Sequence, residues 1–266
     1  MAKVDLVDLK KKNIQRWNAA KLTRGPEFKP FATKAVANRA TYIEIEQRTG
    51  VPWVFIAVSH YRESTQDFTR SLAQGDPWNK ESVHVPAGRG PFKSFADAAI
   101  DALVNCAPFA ARLKDWTIGG MLTNLERFNG TGYARMGRPS AYIWSGTDQY
   151  VRGKYIADGV FDPNTIDKQL GCAGLILAMM QLDKTISFPK ESEVEVVYDA
   201  DWLQRSLNRL GWKPPLDEDG VIGTETRTAT RAFQREHGLK DDGKAGTVET
   251  IPAILAELKK RGLPSD

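Results

Sequence analysis

The sequence predicts a mainly α-helical protein built from two domains. Apolar residues recur at helical spacing along most of the chain, glycines follow the ends of these apolar runs, and the charged stretch TISFPKESEVEVV interrupts the pattern. The 266 residues are enough for a medium domain and a small one. We therefore expect a first domain at 1–185 with an N-terminal helical extension at 1–27, a linker at 186–197 and a second domain at 198–266.

Composition and charge narrow the class of protein. Hydrophobic residues make up 41% of the chain and charged residues 26%, which is ordinary for a soluble globular protein. The net charge of +4 suits a polyanionic partner, but no zinc-finger, RNP-type or basic-helix signature predicts nucleic-acid binding. No apolar run is long enough to span a membrane, so membrane insertion is not expected. Cys106 and Cys172 lie in apolar helical patterns and are predicted to be buried thiols.

The first three predicted helices lead to the most informative stretch. A polar helix over 1–25 ends near Gly25-Pro26, and a second over 33–49 ends at Gly50, which is well placed as its C-cap. The segment 52–63 is apolar on most sides, which predicts a helix buried in the domain core.

Two carboxylates follow that apolar run. Glu63 stands at its end, where partial burial would favour the neutral carboxyl and raise its pKa. Asp76 lies in a polar loop between Gly75 and Pro77, where we expect it to be solvated and ionised. Two carboxyls in unlike environments can divide acid and base roles in glycoside cleavage. The plainer alternative is an exposed helix-end Glu and a turn Asp, because most such residues are solvated.

The rest of the first domain alternates loops and helices. Residues 69–93 form a long irregular stretch, and loops of this length inside a compact domain are usually functional. Helices are predicted after the capping residues Ser94 and Thr117, and Gly130 ends the second of them. Glu126 lies off the apolar stripe of that helix, so either solvent or a cleft is open to it. An aromatic, Gly-rich segment at 131–160 precedes the most apolar helix, within 165–184.

Two short motifs carry a family resemblance over roughly residues 28–185. Arg62-Glu63-Ser64, the polar loop and Gly75-Asp76 resemble the catalytic Glu-Ser and Gly-Asp elements of goose-type lysozymes, and lytic transglycosylases share the Glu-Ser element. The run Phe128-Asn129-Gly130-Thr131-Gly132-Tyr133 resembles their Tyr-Asn-Ala-Gly motif, with Phe in place of Tyr and Gly in place of Ala.

The resemblance implies a lysozyme-like α domain with a small hairpin or loop lobe at 69–93 facing the sugar cleft. Glu63 would be the general acid, and Asp76 would orient or activate water. The candidate substrate-binding residues are Ser64, Trp78, His84, Arg89, Asn129, Tyr133 and Tyr142. For the loop and aromatic residues among them, ordinary packing is the competing interpretation. No cofactor and no metal are implied.

The second domain is predicted to be a three-helix unit with a tight turn, DEDGVIGTET, between its first two helices. Its characteristic residues, in order, are Leu203-Gln204, Leu207, Leu210-Gly211, Asp219-Gly220, Gly223, Thr226, Phe233-Gln234, Gly238-Leu239, Gly243 and Thr250. In their order and spacing over the whole module, these residues resemble the peptidoglycan-binding domain family. The candidate wall-binding residues are Asp219, Gly220 and Arg227. No internal repeat of 20 to 50 residues is visible along the chain.

Other chemistries have weaker support. His60 and Glu63 lie three residues apart on one helix, and His84 could complete a zinc site, but no HExxH pattern accompanies them. The sequence also lacks a phosphate-binding loop ending in Lys-Ser/Thr and a Gly-x-Ser-x-Gly nucleophile motif.

Taken together, the two resemblances imply a bacteriolytic enzyme similar to bacteriophage-type endolysins of the lysozyme superfamily. The expected activity is that of an N-acetylmuramidase, and the expected partner is bacterial peptidoglycan. A lytic transglycosylase and a non-catalytic wall-binding protein are the alternatives. The N-terminal stretch lacks the continuous apolar run of a signal peptide, so we expect the protein to be made in the bacterial cytoplasm. We also expect it to be a monomer. It would reach the wall through a permeabilised membrane.

Overall fold

A computed structural model describes residues 4–73, 75–84, 86–157, 159–191, 200–246 and 249–264. The predicted mainly α class is confirmed, since helices dominate these residues and the strands form one two-stranded sheet. The chain divides into a first unit, Met1–Val194, and a second unit, Glu195–Asp266. None of the helices in the described ranges combines the length and the apolar character needed to cross a membrane.

The first unit contains nine α-helices among its described residues, a 3₁₀ turn at Ala110–Arg112 and a hairpin. The helices are α1 Leu6–Ala19, α2 Gly25–Ala37, α3 Arg39–Thr49, α4 Trp53–Ser64, α5 Phe95–Asn105, α6 Ile118–Asn129, α7 Gly132–Arg135, α8 Ala141–Trp144 and α9 Cys172–Leu182. The hairpin joins β1 Lys154–Ala157 to β2 Val160–Asp162, which pair antiparallel.

Helix α4 lies at the centre of the first unit, as the sequence predicts. Every residue from Trp53 to Tyr61 is buried, and α3, α6 and α9 pack around it. Helix α2 packs closely on α9, where an ideal Cβ on Gly174 would lie 2.2 Å from Phe28 Cζ. Glycine at that position therefore allows the two helices to approach. Cys172 on α9 and Cys106 are both free and buried, which confirms the predicted thiols.

Local capping signals locate several helix ends correctly, but the predicted end near Gly25-Pro26 is wrong, because α1 ends at Ala19 and Gly25 begins α2. The Ser94 and Thr117 side chains accept hydrogen bonds from the backbone N–H groups of Asp97 and Gly120, and Gly50 is left-handed at its C-cap. The prediction of a single helix over 33–49 is wrong, because α2 ends and α3 begins at Asn38. The Asn38 side-chain Nδ2 donates to Lys34 O at 2.8 Å and so satisfies a carbonyl of the last turn of α2.

The expected lobe at 69–93 is a loop, with no strand among its described residues and one isolated bridge, Arg70 to Pro77. The hairpin of the first unit lies instead at 154–162, within the aromatic segment. Tyr155 of β1 and Phe161 of β2 form a T-shaped pair with ring centroids 5.4 Å apart, and both contact Tyr133 edge-on. Aromatic packing therefore fixes this hairpin onto the domain.

The start of the predicted linker is wrong, because residues 186–191 belong to the first unit. Ile186 is 6% exposed within its core, and Phe188 meets the Trp17 ring edge-on. Glu191 forms an ion pair with Lys10 at 2.9 Å and accepts a hydrogen bond from Gly119 N at 2.8 Å. These contacts are long-range, so the charged composition of the stretch did not indicate them. Residues 192–197 of the expected linker lie outside the described residues.

The second unit contains three helices among its described residues, as predicted: α10 Ala200–Arg209, α11 Thr224–Glu236 and α12 Thr250–Lys260. Their apolar faces meet in one core. Its fully or nearly fully buried members are Trp202, Leu203, Leu207, Leu216, Ala229, Phe233, Ile251, Ile254 and Leu258.

The same hydrogen-bond motif occurs twice in the second unit. Gln204 Nε2 donates to Asp219 Oδ1, Val221 O and Thr226 Oγ1, while its Oε1 accepts from Gly220 N at 2.9 Å. Gln234 forms the equivalent contacts, which are donation to Asp242 Oδ1, Lys244 O and Thr250 Oγ1 and acceptance from Gly243 N at 2.9 Å.

The expectation of no internal repeat is therefore wrong for this unit. The Gln and Thr of the motif are 22 residues apart in the first copy and 16 in the second. The unequal lengths conceal the repeat from a search for a fixed period. In each copy a buried amide joins a helix to the Asp-Gly turn that follows it, which satisfies the polar groups of the turn.

Candidate active site at the end of helix α4

Helix α4 ends abruptly just after Glu63. Thr65 and Gln66 both take left-handed backbone conformations, with φ of 55° and 61°. Their N–H groups donate to Tyr61 O at 2.8 Å and His60 O at 3.1 Å, so the turn satisfies the last carbonyls of the helix. Glu63 is thus held in the final turn, immediately beyond the buried part of α4, and its side chain is half-buried.

The Glu63 carboxyl has the protonation properties of a general acid. Burial raises its pKa to about 7, while a hydrogen bond from Tyr142 and the positive charge of Arg62 oppose the rise. The Tyr142 hydroxyl donates to Glu63 Oε1 at 2.9 Å. Near neutral pH a substantial fraction of Glu63 therefore carries the proton, as predicted from its place at the end of an apolar run.

Asp76 is ionised, as expected, but it is buried, whereas the sequence predicted a solvated carboxylate. It is 7% exposed, and its Oδ2 accepts from Val83 N at 2.9 Å and His84 N at 3.0 Å. Its Oδ1 lies 2.6 Å from His84 Nδ1. Hydrogen bonds, chiefly from His84, lower the pKa of Asp76 and so favour the ionised carboxylate that the sequence predicted. Its carboxylate is engaged in holding the loop at 82–84.

The Asp76 loop runs beside the end of α4. An ideal Cβ on Gly75 would lie 3.2 Å from Glu63 O, and Gly75 has a φ of +68°. A side chain there would be strained in two ways, by the close approach and by the left-handed backbone. Glycine before Asp76 is therefore required by the contact between this loop and the residue that carries the candidate acid.

The three other loop candidates differ in their contacts. Trp78 Nε1 donates to Phe68 O at 2.7 Å, and the ring packs on the core. Arg89 Nε donates to Asp101 Oδ2 at 2.8 Å, in an ion pair with helix α5. His84, whose side chain is 72% exposed, has its imidazole open to solvent. Trp78 and Arg89 thus have internal partners that sequence reasoning did not identify, and His84 is accessible to a ligand.

Among the remaining candidates, the structure brings Tyr142 into direct contact with Glu63. Ser64 is adjacent to the acid, and its Oγ donates to His60 O at 3.2 Å. Asn129 is exposed at the end of α6. Tyr133 is buried, and its hydroxyl accepts from Tyr155 N at 3.3 Å, so it supports the hairpin.

His60 is a core residue rather than a surface ligand. Its side chain is fully buried, and Nδ1 lies 2.9 Å from the Tyr42 hydroxyl. The ring also packs against Phe68 and Phe95, with centroids 4.8 and 4.4 Å away. Burial lowers the pKa of His60 to about 4, so it is neutral at physiological pH. This packing favours a structural role for His60 over the zinc alternative.

Sequence reasoning missed a buried ion pair behind the candidate acid. Arg62 Nη2 lies 3.0 Å from Asp167 Oδ2, and Lys154 Nζ lies 2.9 Å from Asp167 Oδ1. The Arg62 guanidinium also lies 4.7 Å from the centre of the Tyr142 ring. The only local signal was the arginine next to Glu63, since Asp167 is 105 residues away in sequence.

The wall-binding candidates lie in and beside the first copy of the repeated motif. Asp219 Oδ1 accepts from Gln204 Nε2 at 2.8 Å and from Val221 N at 2.9 Å, and Gly220 has a φ of +74°. Both residues therefore shape the turn. Arg227, on α11, is exposed.

Comparison with known proteins gives one finding, and it concerns the second unit. Neither the curated proteins nor the solved structures include a significant match to the chain. Residues 198–249 match a family model described as a putative peptidoglycan-binding domain. The match supports a wall-binding domain in this part of the chain and association of the protein with the bacterial cell wall.

Proposed function

We propose that the protein is a peptidoglycan hydrolase whose first unit cleaves the glycan chain while its second unit holds the wall. The reaction is hydrolysis of the β-1,4 bond between N-acetylmuramic acid and N-acetylglucosamine. The observation that carries the proposal is Glu63, a half-buried carboxyl with a pKa raised to about 7 at the end of a buried helix. The peptidoglycan-binding domain at 198–249 supplies the substrate class.

Glu63 acts as the general acid in this proposal. Its proton passes to the glycosidic oxygen as the bond from that oxygen to C1 of N-acetylmuramic acid breaks. Water then adds to C1, and the proton released from water returns to the carboxylate. Partial burial supports this role because it keeps the carboxyl neutral until the substrate oxygen accepts the proton.

The surroundings of Asp76 favour one alternative, a lytic transglycosylase. In that reaction the 6-hydroxyl of the muramic acid attacks C1, and a single carboxyl is sufficient. The Asp76 carboxylate accepts two backbone hydrogen bonds and contacts the His84 imidazole, which leaves it a poor base for water. Sequence reasoning gave Asp76 the water-activating role, and that role stays a prediction.

Mass spectrometry of digested peptidoglycan tests the proposal and separates these outcomes. Hydrolysis leaves reducing N-acetylmuramic acid ends, whereas transglycosylation leaves 1,6-anhydro ends. Intact glycan with the protein bound would overturn both catalytic proposals and leave a wall-binding protein. Because the protein would act on the wall after passing a permeabilised membrane, the assay uses purified sacculi.

Substitution of Asp76 by Asn should reduce activity by less than the loss of Glu63. The amide oxygen of Asn can still accept from Val83 N and His84 N, but the side chain loses its negative charge and places Nδ2 opposite His84 Nδ1, so the contact between the carboxylate and the imidazole is lost. We expect a lower melting temperature together with a modest fall in the rate of wall lysis. A loss of 10²-fold or more with an unchanged melting temperature would instead assign Asp76 a chemical role, since general acid–base catalysis contributes about 10²–10⁴-fold.

A further inference from the structure

The Arg62–Asp167 ion pair, which lies next to the candidate acid, is buried, and its contribution to stability does not by itself explain its presence. Arg62 and Asp167 have side chains that are only 9% and 3% exposed. Buried pairs of this kind are often neutral or unfavourable compared with apolar residues of the same volume, because both charges must leave water. A role in the site next to them would account for their presence, and the contacts indicate which one.

Arg62 is fixed by three acceptors. Nη1 donates to Gln169 O at 3.3 Å and Leu170 O at 3.1 Å, and Nη2 donates to Asp167 Oδ2 at 3.0 Å. A planar guanidinium can meet several acceptors at fixed angles, which a lysine ammonium cannot reproduce. The Gln169 side chain returns two hydrogen bonds to α4, to Tyr61 O at 3.2 Å and Arg62 O at 2.9 Å.

Asp167 is itself held from other directions, so it anchors Arg62. Lys154 Nζ donates to its Oδ1 at 2.9 Å. Its backbone N–H donates to the Tyr150 hydroxyl at 3.0 Å, and its carbonyl accepts from Ser145 Oγ at 2.8 Å. The anchor therefore joins the end of α4, the start of β1 and the segment leading into α9.

Tyr142 connects this anchor to the acid. Its ring lies against the Arg62 guanidinium at 4.7 Å, and its hydroxyl donates to Glu63 Oε1 at 2.9 Å. Burial raises the pKa of Tyr142 well above its usual range, so the hydroxyl keeps its proton. With Oε1 occupied as an acceptor, the proton of neutral Glu63 is carried by Oε2.

We propose that Arg62 is a positioning residue, which Asp167 anchors and which acts through Tyr142 to direct the protonated Oε2 of Glu63 at the glycosidic oxygen. This inference rests on the proposed function. It assigns to Arg62, Asp167 and Tyr142 a shared role in orienting the acid, in place of separate roles in packing or sugar contact. Misplacement of a catalytic group by about 1 Å can cost 10²-fold in rate, so an anchor of this kind has a measurable effect.

The titratable groups that interact electrostatically with the Glu63 carboxyl are Arg62 of the same helix, Tyr142 of α8 and Cys172 of α9.

Two substitutions of Arg62 separate the effect of its charge from the effect of its geometry. Arg62→Lys keeps the positive charge, so we expect the alkaline limb of the kcat/KM profile on soluble glycan fragments to stay in place while kcat falls about 10- to 100-fold. Arg62→Met removes a charge that lowers the Glu63 pKa, so the limb should move to higher pH.

A double-variant cycle tests whether Arg62 acts through Tyr142. Tyr142→Phe removes the hydroxyl that contacts Glu63, and we expect Arg62→Lys with Tyr142→Phe to lose no more activity than the worse single variant. Losses that multiply independently would overturn the inference, and so would full kcat in folded Arg62→Lys.

This failure differs from failure of the proposed function. If the wild-type protein releases glycan fragments and Glu63→Gln does not, but Arg62→Lys behaves as wild type, only the positioning role is wrong. If the wild-type protein releases no fragments, the proposed function itself is wrong and the positioning role falls with it. Melting curves of each variant establish that the proteins compared are folded.

Discussion

Glu63→Gln should nearly abolish wall lysis without disturbing the fold. Glutamine has the size of glutamate and can still accept the hydrogen bond from Tyr142, but it carries no transferable proton. The expected loss is on the order of the 10²–10⁴-fold contribution of general acid–base catalysis. Turbidity loss of purified sacculi measures the rate, and a variant that lyses walls at a near wild-type rate would show that Glu63 is not the acid.

The pH profile of the wild-type protein should report the same group. A general acid works in its protonated form, so kcat/KM should fall as pH rises through the Glu63 pKa of about 7. In Glu63→Gln the residual activity should lack that limb. A wild-type profile that stays flat well above pH 7 would contradict the assignment.

Glu126→Gln is the matched control, because Glu126 is a second buried glutamate whose pKa burial raises to about 7. The sequence left it open to solvent or the cleft, but it is 1% exposed, and the charge of Arg16 on α1 acts on it. We expect unchanged lysis. Because the folded-state pKa is raised, ionised Glu126 destabilises the fold as pH rises from about 4.5 to 7.

The control variant should therefore be more stable than wild type above neutral pH and equal to it below about pH 4.5. The difference should be on the order of 3 kcal/mol. Chemical denaturation at two pH values measures it. Reduced lysis in Glu126→Gln would mean that a raised pKa does not by itself distinguish Glu63 from Glu126 as the general acid. Identifying the acid would then require evidence of which glutamate contacts the substrate.

The features that sequence reasoning located are those encoded within a few residues. The apolar run before Glu63 predicted both the buried helix and the raised pKa, because both depend on the hydrophobic period along one helix. The caps at Ser94 and Thr117 were equally local. In the second unit, the order of glycines and apolar residues was sufficient to identify the family that the comparison then matched.

The features that could not be predicted from the sequence depend on contacts between segments that are distant in the chain. Tyr142 contacts Glu63 across 79 residues, and Asp167 meets Arg62 across 105. No periodicity encodes such pairs, since they form only when the helices pack. Asp76 shows the same difficulty at shorter range, because its burial results from the loop at 82–84 folding back onto it. The local sequence predicts that Asp76 lies in a loop, but it does not predict which backbone N–H groups will surround the carboxylate.

A truncation after residue 194 should separate cleavage from wall binding. The two units have their own apolar cores, so the first unit, Met1–Val194, should fold without the second. We expect it to cleave short soluble glycan fragments at the full rate, because the second unit contributes nothing to a substrate that it does not hold. On sacculi its apparent affinity should fall by the 10²–10⁴-fold that a tethered second site typically contributes.

The position of the cut decides whether this comparison is clean. Ending the chain at residue 185, the domain boundary expected from the sequence, removes the buried Ile186 and the Glu191 carboxylate that pairs with Lys10 and accepts from Gly119 N. That shorter protein should therefore lose wall binding and also melt at a lower temperature, whereas the 1–194 protein should lose binding alone. Equal sedimentation of the 1–194 and full-length proteins with sacculi would show that the second unit does not hold the wall. The family match would then describe its fold without its ligand.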